Sequence, residues 1–186
     1  MNQQHEISTL KGATVSSVKA ELELIQKTFG PNVYRDFMLK HGREYPIGPH
    51  SYALPRREPK ACFMNATHLA IELPHLTYVE GKVMLFDSIA IDHAWCVDEE
   101  GVVVDPTFAP GISDNTYDRI GGYFGVPFRT DYIEKAVRLN KLYGVLDCFY
   151  ARRTAEKLFE LGLDAGQAWL LDQKAIIKRK IRKVVA

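Results

Sequence analysis

Two spacings of apolar residues along the chain predict where its helices and strands lie. A spacing of three to four residues, typical of amphipathic helices, recurs before residue 41, at residues 61–73 and in the last third of the chain. Alternation with a period of two, or a short apolar run bounded by glycine, predicts strands between residues 76 and 128. The order helix, sheet, helix indicates an α+β fold in which an antiparallel sheet packs on a central helix, with extra flanking helices.

These patterns assign most of the chain. Helices are predicted at residues 15–29, 32–40, 61–73, 133–143, 148–161 and 165–182. Strands are predicted at residues 76–80, 82–87, 89–97, 102–105 and 121–128. Residues 42–59 contain four prolines and are predicted to form an ordered, irregular loop beside a cleft. We expect one domain over residues 1–186, with a core at about residues 60–128.

A predicted hairpin carries the first chemical signal. Apolar runs flank residues 98–101, which is typical of two antiparallel strands joined by a short glycine-containing loop. If Gly101 takes the left-handed position of a three-residue loop, His93 lies opposite or diagonal to Asp105 on one face. A two-residue loop would place Asp105 on the other face. An imidazole beside a carboxylate is the orienting half of a nucleophilic triad, because the carboxylate fixes the tautomer and stabilises the imidazolium.

Cys62 is the best candidate for the nucleophile that such a pair needs. It begins an apolar helical pattern, so its thiol is expected in the first turn of a helix, where the positive end of the helix dipole favours the thiolate. The alternative is a small buried hydrophobic residue. His93 could likewise be a core histidine, and Asp105 could cap the turn that follows it. The combined pattern favours acyl transfer through a cysteine thiolate.

Composition sets limits on partners and compartment. The chain has 186 residues, 46% of them apolar, and a formal net charge of +1, which gives no general attraction to nucleic acid or an anionic membrane. The N-terminus lacks a signal-peptide pattern and no apolar run is long enough to span a bilayer, so we expect a cytoplasmic protein with no membrane partner. Six lysines and arginines lie within residues 174–183; a solvated helix face is the simplest interpretation, and nucleic-acid binding is disfavoured.

The cysteines and histidines do not indicate a metal site. Cys62, Cys96 and Cys148 are widely spaced and odd in number, which suggests neither a disulfide framework nor a zinc ribbon. His68 lies on the face of the helix that follows Cys62, but a metal bound by Cys62, His68 and His93 lacks a dense cluster of ligands to support it. No cofactor is therefore expected.

Four segments, taken in order, resemble a known family. They are Cys62 at a helix start, the strand ending near Gly81, His-Ala-Trp at residues 93–95 and Asp-Pro-Thr at residues 105–107. This series resembles the core of the transglutaminase-like branch of the papain-like cysteine hydrolase and acyltransferase superfamily, over roughly residues 60–108. The resemblance implies that Cys62 is the nucleophile, His93 the general base and acid, and Asp105 the orienting carboxylate. It implies a substrate with an amide or ester bond, such as a protein or peptide.

The chain departs from that family pattern at the oxyanion donor. No glutamine or tryptophan lies between residues 29 and 62, where papain-like enzymes often supply a side-chain donor. The backbone amide of Cys62 is expected to be one donor, and Tyr52, His50 or Asn65 the other. Trp95 is expected either to pack in the core or to line the substrate cleft.

The resemblance leaves the activity open. The family includes transglutaminases, peptidases, deglycosylating amidases and members that have lost activity. The expected activity is that of an amidase, peptidase, deamidase or transglutaminase, and a non-enzymatic binding protein on the same fold is the first alternative. A nucleic-acid-associated protein that uses the basic C-terminal helix is the second. The oligomeric state is not predicted by the sequence.

Overall fold

The computed structural model describes residues 17–47, 57–108 and 119–146. Within these ranges the chain forms four helices and a five-stranded, curled antiparallel sheet with a helix packed against it, which confirms the predicted α+β class. The helices are α1 (Val18–Phe29), α2 (Val33–His41), α3 (Cys62–Glu72) and α4 (Thr130–Asn140). The strands are β1 (Arg43–Tyr45), β2 (Thr77–Leu85), β3 (Ile89–Val97), β4 (Val103–Val104) and β5 (Ile120–Phe128).

The spatial order of the strands is β1-β5-β2-β3-β4, and every neighbouring pair is antiparallel. Because side chains alternate along a strand, the sheet has an even-numbered and an odd-numbered face. The helices cover the even-numbered face, where α3 buries Ala66, Leu69 and Ala70 against side chains such as Tyr78 and Cys96. A second core lies on the odd-numbered face and consists of Tyr45, Val79, Val83, Trp95, Val97, Val103 and Tyr123.

The predicted hairpin register is confirmed. Cys96 pairs with Val104, and the Asp98 amide donates to the Val102 carbonyl at 3.1 Å, so three residues form the loop. Gly101 has a φ of 80°, the left-handed conformation that glycine adopts without a steric penalty. This loop keeps the odd-numbered residues of the two strands on one face.

Three predicted boundaries are wrong. Residues 76–80 and 82–87 were expected as separate strands around Gly81, whereas β2 runs through it without a break. The loop predicted at residues 42–59 contains the short edge strand β1. The helix predicted at residues 133–143 begins at Thr130 and ends at Asn140, because Lys141 is left-handed with a φ of 59°. The helices predicted at residues 148–161 and 165–182, with Cys148, lie outside the described residues.

The described residues contain no helix that is both long and apolar enough to cross a membrane.

Gly81 lies at a close approach of β2 and β5. A Cβ at this position would overlap the Phe124 carbonyl oxygen and the Gly125 Cα, both of them backbone atoms that cannot rotate away. Gly125 is its partner in the register. We expect Gly81→Ala to lower the free energy of unfolding by about 1–3 kcal/mol, because the strands must move apart to admit the methyl group. Urea denaturation measures the change.

Gly122 provides the matched control on β5. A Cβ there would meet no atom within 4 Å, so Gly122→Ala is expected to change the free energy of unfolding by no more than about 0.5 kcal/mol. Equal effects of the two substitutions would contradict the close approach at Gly81.

Candidate active site

The three residues predicted to form a triad come together from three elements. Cys62 is the first residue of α3, His93 lies on β3, and Asp105 follows the last residue of β4. The Nε2 atom of His93 lies 2.7 Å from Oδ2 of Asp105. The Cys62 thiol lies near enough to the same imidazole to raise its pKa. Since Nε2 is occupied by Asp105, Nδ1 is the ring nitrogen left for the thiol.

The hairpin register explains why His93 and Asp105 meet. Continuing the pairing of Val97 with Val103 places Trp95 opposite Asp105 and His93 diagonal to it, as predicted. Diagonal neighbours on one face of an antiparallel pair lie within reach of a ring. The chain leaves the sheet at Asp105, so its carboxylate is free to accept hydrogen bonds from more than one direction.

The Asp105 carboxylate is fully buried and accepts four hydrogen bonds. Oδ2 accepts from His93 Nε2 at 2.7 Å and from the Tyr123 hydroxyl at 2.9 Å. Oδ1 accepts from the backbone amides of Thr107 at 2.8 Å and Phe108 at 3.0 Å. The two roles considered for Asp105, orienting carboxylate and turn cap, are therefore compatible, because each oxygen serves one of them. A buried carboxylate requires such partners, since an unpaired charge in the interior is strongly destabilising.

The electrostatics favour a charged pair. Burial by itself would lower the pKa of His93, but the neighbouring Asp105 charge and its hydrogen bond, together with the Cys62 thiol, raise it from 6.5 to about 9. Burial would raise the pKa of Asp105, but the His93 charge and the hydrogen bonds hold it below 3.8. At neutral pH the histidine is therefore an imidazolium facing a carboxylate.

Aromatic rings fix the plane of the imidazole. Phe108 stacks on His93 with ring centroids 4.5 Å apart, and Trp95 lies nearly parallel to it at 6.2 Å. Trp95 is fully buried, with its indole over Gly125, where a Cβ would come within 2.6 Å of the ring. Of the two roles predicted for Trp95, the structure therefore supports core packing.

Cys62 differs from the other described cysteine. It is half-buried. Cys96 is fully buried, its thiol donates to the Ala66 carbonyl at 3.3 Å, and burial raises its pKa. The first turn of α3 has no side-chain cap, which leaves backbone N–H groups beside Cys62 as available donors.

Asn65 does not serve as the predicted oxyanion donor. Its Nδ2 donates to the Glu58 carbonyl at 2.7 Å and to the Thr107 hydroxyl at 3.1 Å, which uses both hydrogens. This buried amide instead ties α3 to the turn that holds Asp105. Tyr52 and His50 lie outside the described residues.

No metal site is found in residues 17–47, 57–108 and 119–146, where no group of three His, Cys, Asp or Glu side chains is arranged to hold an ion. His68 instead pairs with the Tyr143 hydroxyl at 3.0 Å. Glu72 forms a bidentate ion pair with Arg57.

Tyr123 is the site residue that sequence reasoning missed. Residues 123–128 were predicted to be core or cleft lining, and the hydroxyl of Tyr123 binds Asp105 directly. The pairing of β5 with β2 would have identified it. In that register Tyr123 faces Val83, and this places Tyr123 on the same odd-numbered face of the sheet as His93. That pairing is between strands distant in sequence, so the local pattern did not reveal it.

The raised pKa of His93 predicts a pH-dependent stability. Between pH 6.5 and about 9 the folded protein holds a proton that the unfolded chain releases, so this stabilisation is complete below pH 6.5 and is lost as the pH rises through about 9. We expect the free energy of unfolding to fall over this range with a slope of up to about 1.4 kcal/mol per pH unit. Urea denaturation at several pH values measures it.

His93→Gln is the control, because glutamine keeps a polar side chain of similar size but does not titrate. The slope over this pH range is expected to be smaller in that variant. Parallel pH profiles for the two proteins would show that His93 carries no such proton.

Comparison of the chain with protein-family models, with curated proteins and with solved structures finds no match.

Proposed function

We propose that this protein is a cysteine-nucleophile acyl-transfer enzyme, built on the core of the transglutaminase-like branch of the papain-like superfamily, that acts on an amide or ester bond. One observation carries the proposal: the buried His93 imidazole is hydrogen-bonded to the Asp105 carboxylate at 2.7 Å, and the half-buried Cys62 lies near enough to the same ring to raise its pKa. This is the arrangement of nucleophile, base and orienting carboxylate that acyl transfer requires.

The first half of the reaction forms a thioester. In the reactive form the Cys62 proton is held by His93; the Cys62 sulfur then donates an electron pair to the carbonyl carbon, and the C=O electrons move to oxygen. The tetrahedral intermediate then collapses, the bond from carbon to the leaving nitrogen or oxygen breaks, and the His93 imidazolium gives its proton to the leaving group. Asp105 stabilises the imidazolium until that transfer. His93 becomes neutral as the amine or alcohol departs.

The second half regenerates the enzyme. Neutral His93 takes a proton from water or from an acceptor amine, whose oxygen or nitrogen attacks the thioester carbon. The carbon–sulfur bond breaks, the acid or new amide leaves, and Cys62 returns as a thiolate beside the imidazolium. Water gives a hydrolase and an amine gives a transferase; the three residues serve both in the same way.

The start of α3 is suited to stabilise the oxyanion. Cys62 is its first residue, and the turn carries no side-chain cap that would occupy its N–H groups. Backbone donors at a helix N-terminus, aided by the helix dipole, stabilise the negative charge that develops on the carbonyl oxygen. In this mechanism the nucleophile and the oxyanion donor lie on the same helix.

The reactivity of Cys62 provides the first test. We expect iodoacetamide to alkylate Cys62 readily at pH 6 to 7, because the neighbouring imidazole activates the nucleophile, and His93→Ala to slow this reaction at least about tenfold. Peptide mass spectrometry identifies the modified cysteine. Cys96, fully buried, serves as the internal reference and is expected to stay unmodified under native conditions.

If Cys62 is alkylated slowly, and if His93→Ala does not change the rate of alkylation, the non-enzymatic binding protein is favoured over the enzyme.

The thioester provides the second test. With p-nitrophenyl acetate as probe, we expect an initial burst of p-nitrophenol and a Cys62 peptide that carries an acetyl group, because acylation precedes deacylation. Cys62→Ala should lower the rate by about 10³-fold or more, because it removes the nucleophile. Hydroxylamine should capture the acyl group as a hydroxamate. The ratio of hydroxamate to free acid then compares transfer to an amine with hydrolysis.

Cys96→Ala is the matched control, since it removes a thiol from the same protein without touching His93. It should retain the burst. Equal rates for Cys62→Ala and the unmodified protein, with no acetylated Cys62, would overturn the proposed function.

A further inference from the structure

Tyr123 contacts the same carboxylate oxygen as His93. Its hydroxyl donates to Asp105 Oδ2 at 2.9 Å, while His93 Nε2 lies 2.7 Å from that atom. We propose, on the basis of the proposed function, that Tyr123 is a positioning residue that sets how tightly His93 holds its proton, acting through the Asp105 oxygen that they share.

Different hydrogen bonds at Asp105 fix the orientation of its carboxylate and influence the charge on Oδ2. Oδ1 is held by the Thr107 and Phe108 amides, so the orientation of the carboxylate is fixed by the backbone on that side. Each carboxylate oxygen has two lone-pair directions, and with four donors all are used. Removing the Tyr123 hydroxyl therefore leaves the carboxylate in place and changes chiefly the charge on Oδ2.

The direction of the effect follows from charge dispersal. A hydroxyl donor draws negative charge toward itself, so Oδ2 attracts the imidazolium less strongly while Tyr123 is bonded to it. Without that donor, the full charge of the buried carboxylate acts on His93, which then holds its proton more tightly. Tyr123 thus keeps His93 able to release a proton to the leaving group.

Among the described residues, two titratable groups raise the pKa of His93. Asp105 faces it from the turn after β4 and Cys62 from α3, and both raise its pKa. Tyr123 faces Asp105 from β5. The register partner of His93 on β2 is Gly81, which has no side chain to titrate, and the Cys96 thiol lies on the even-numbered face.

Substrates with different leaving groups provide a kinetic readout. An amide needs a proton on its departing nitrogen, whereas p-nitrophenolate leaves without one. We expect Tyr123→Phe to lower kcat on an anilide, such as an acetylated p-nitroanilide, severalfold more than kcat on the matching p-nitrophenyl ester. A purely structural loss would lower both equally.

The direct test is an NMR titration of the His93 ring carbon in the protein without substrate. In Tyr123→Phe we expect the His93 pKa to rise by about half a pH unit, as one partner of the carboxylate is lost. Tyr45→Phe is the matched control, since Tyr45 lies in the same aromatic cluster and its buried hydroxyl has no hydrogen-bond partner among the described residues. It should leave the His93 pKa unchanged.

A second substitution keeps the test decisive should Tyr123→Phe fold poorly. Placing 3-fluorotyrosine at position 123 makes the phenol a stronger donor with almost the same shape, so the His93 pKa should fall. The same analogue at position 45 should have no effect. An unchanged His93 pKa in both Tyr123 substitutions, or equal shifts at positions 123 and 45, would overturn the inference.

This titration requires no turnover, so the two proposals fail separately. A His93 pKa that responds to Tyr123 in a protein that forms no thioester would refute the proposed function alone. If the protein forms the thioester but substitutions at Tyr123 leave the His93 pKa unchanged, the inference alone is refuted.

Discussion

The site depends on one buried carboxylate, that of Asp105. An anion without solvent is tolerated only where donors surround it, and Asp105 has one from an imidazole, one from a phenol and two from the backbone. This requirement explains why β3, β5 and the turn after β4 meet at one point. It also explains why His93, itself buried, is protonated at neutral pH: each charge makes the burial of the other possible.

Residues outside the proposed triad bring α3, β3 and the turn after β4 together. The loop ending at Gly101 sets the register of β3 and β4, and a one-residue slip would move Asp105 away from His93. Gly81 and Gly125 are partners at a close approach of β2 and β5, and Trp95 packs over Gly125. Asn65 joins α3 to the turn after β4. Together these contacts hold the start of α3 beside the hairpin.

The sequence predicts the parts of this arrangement that depend on local patterns. Periodicity locates α3, β3 and β5 within a few residues, and the glycine-containing loop predicts the pairing of His93 with Asp105. Contacts between segments distant in sequence are not encoded in a local pattern. The Tyr123 hydrogen bond depends on β5 pairing with β2, and the use of both Asn65 hydrogens depends on a turn 42 residues away. The continuity of β2 through Gly81 likewise depends on how closely β5 approaches.

The central claim is that the Cys62 thiol and the Asp105 carboxylate act together on one imidazole. The most direct measurement is the pKa of His93 by NMR in the unmodified protein and in Cys62→Ala. A value of about 9 in the former, and a lower value once the thiol is removed, is the result that the account predicts. A His93 that titrates at its ordinary value, or that is unaffected by the loss of Cys62, would contradict it.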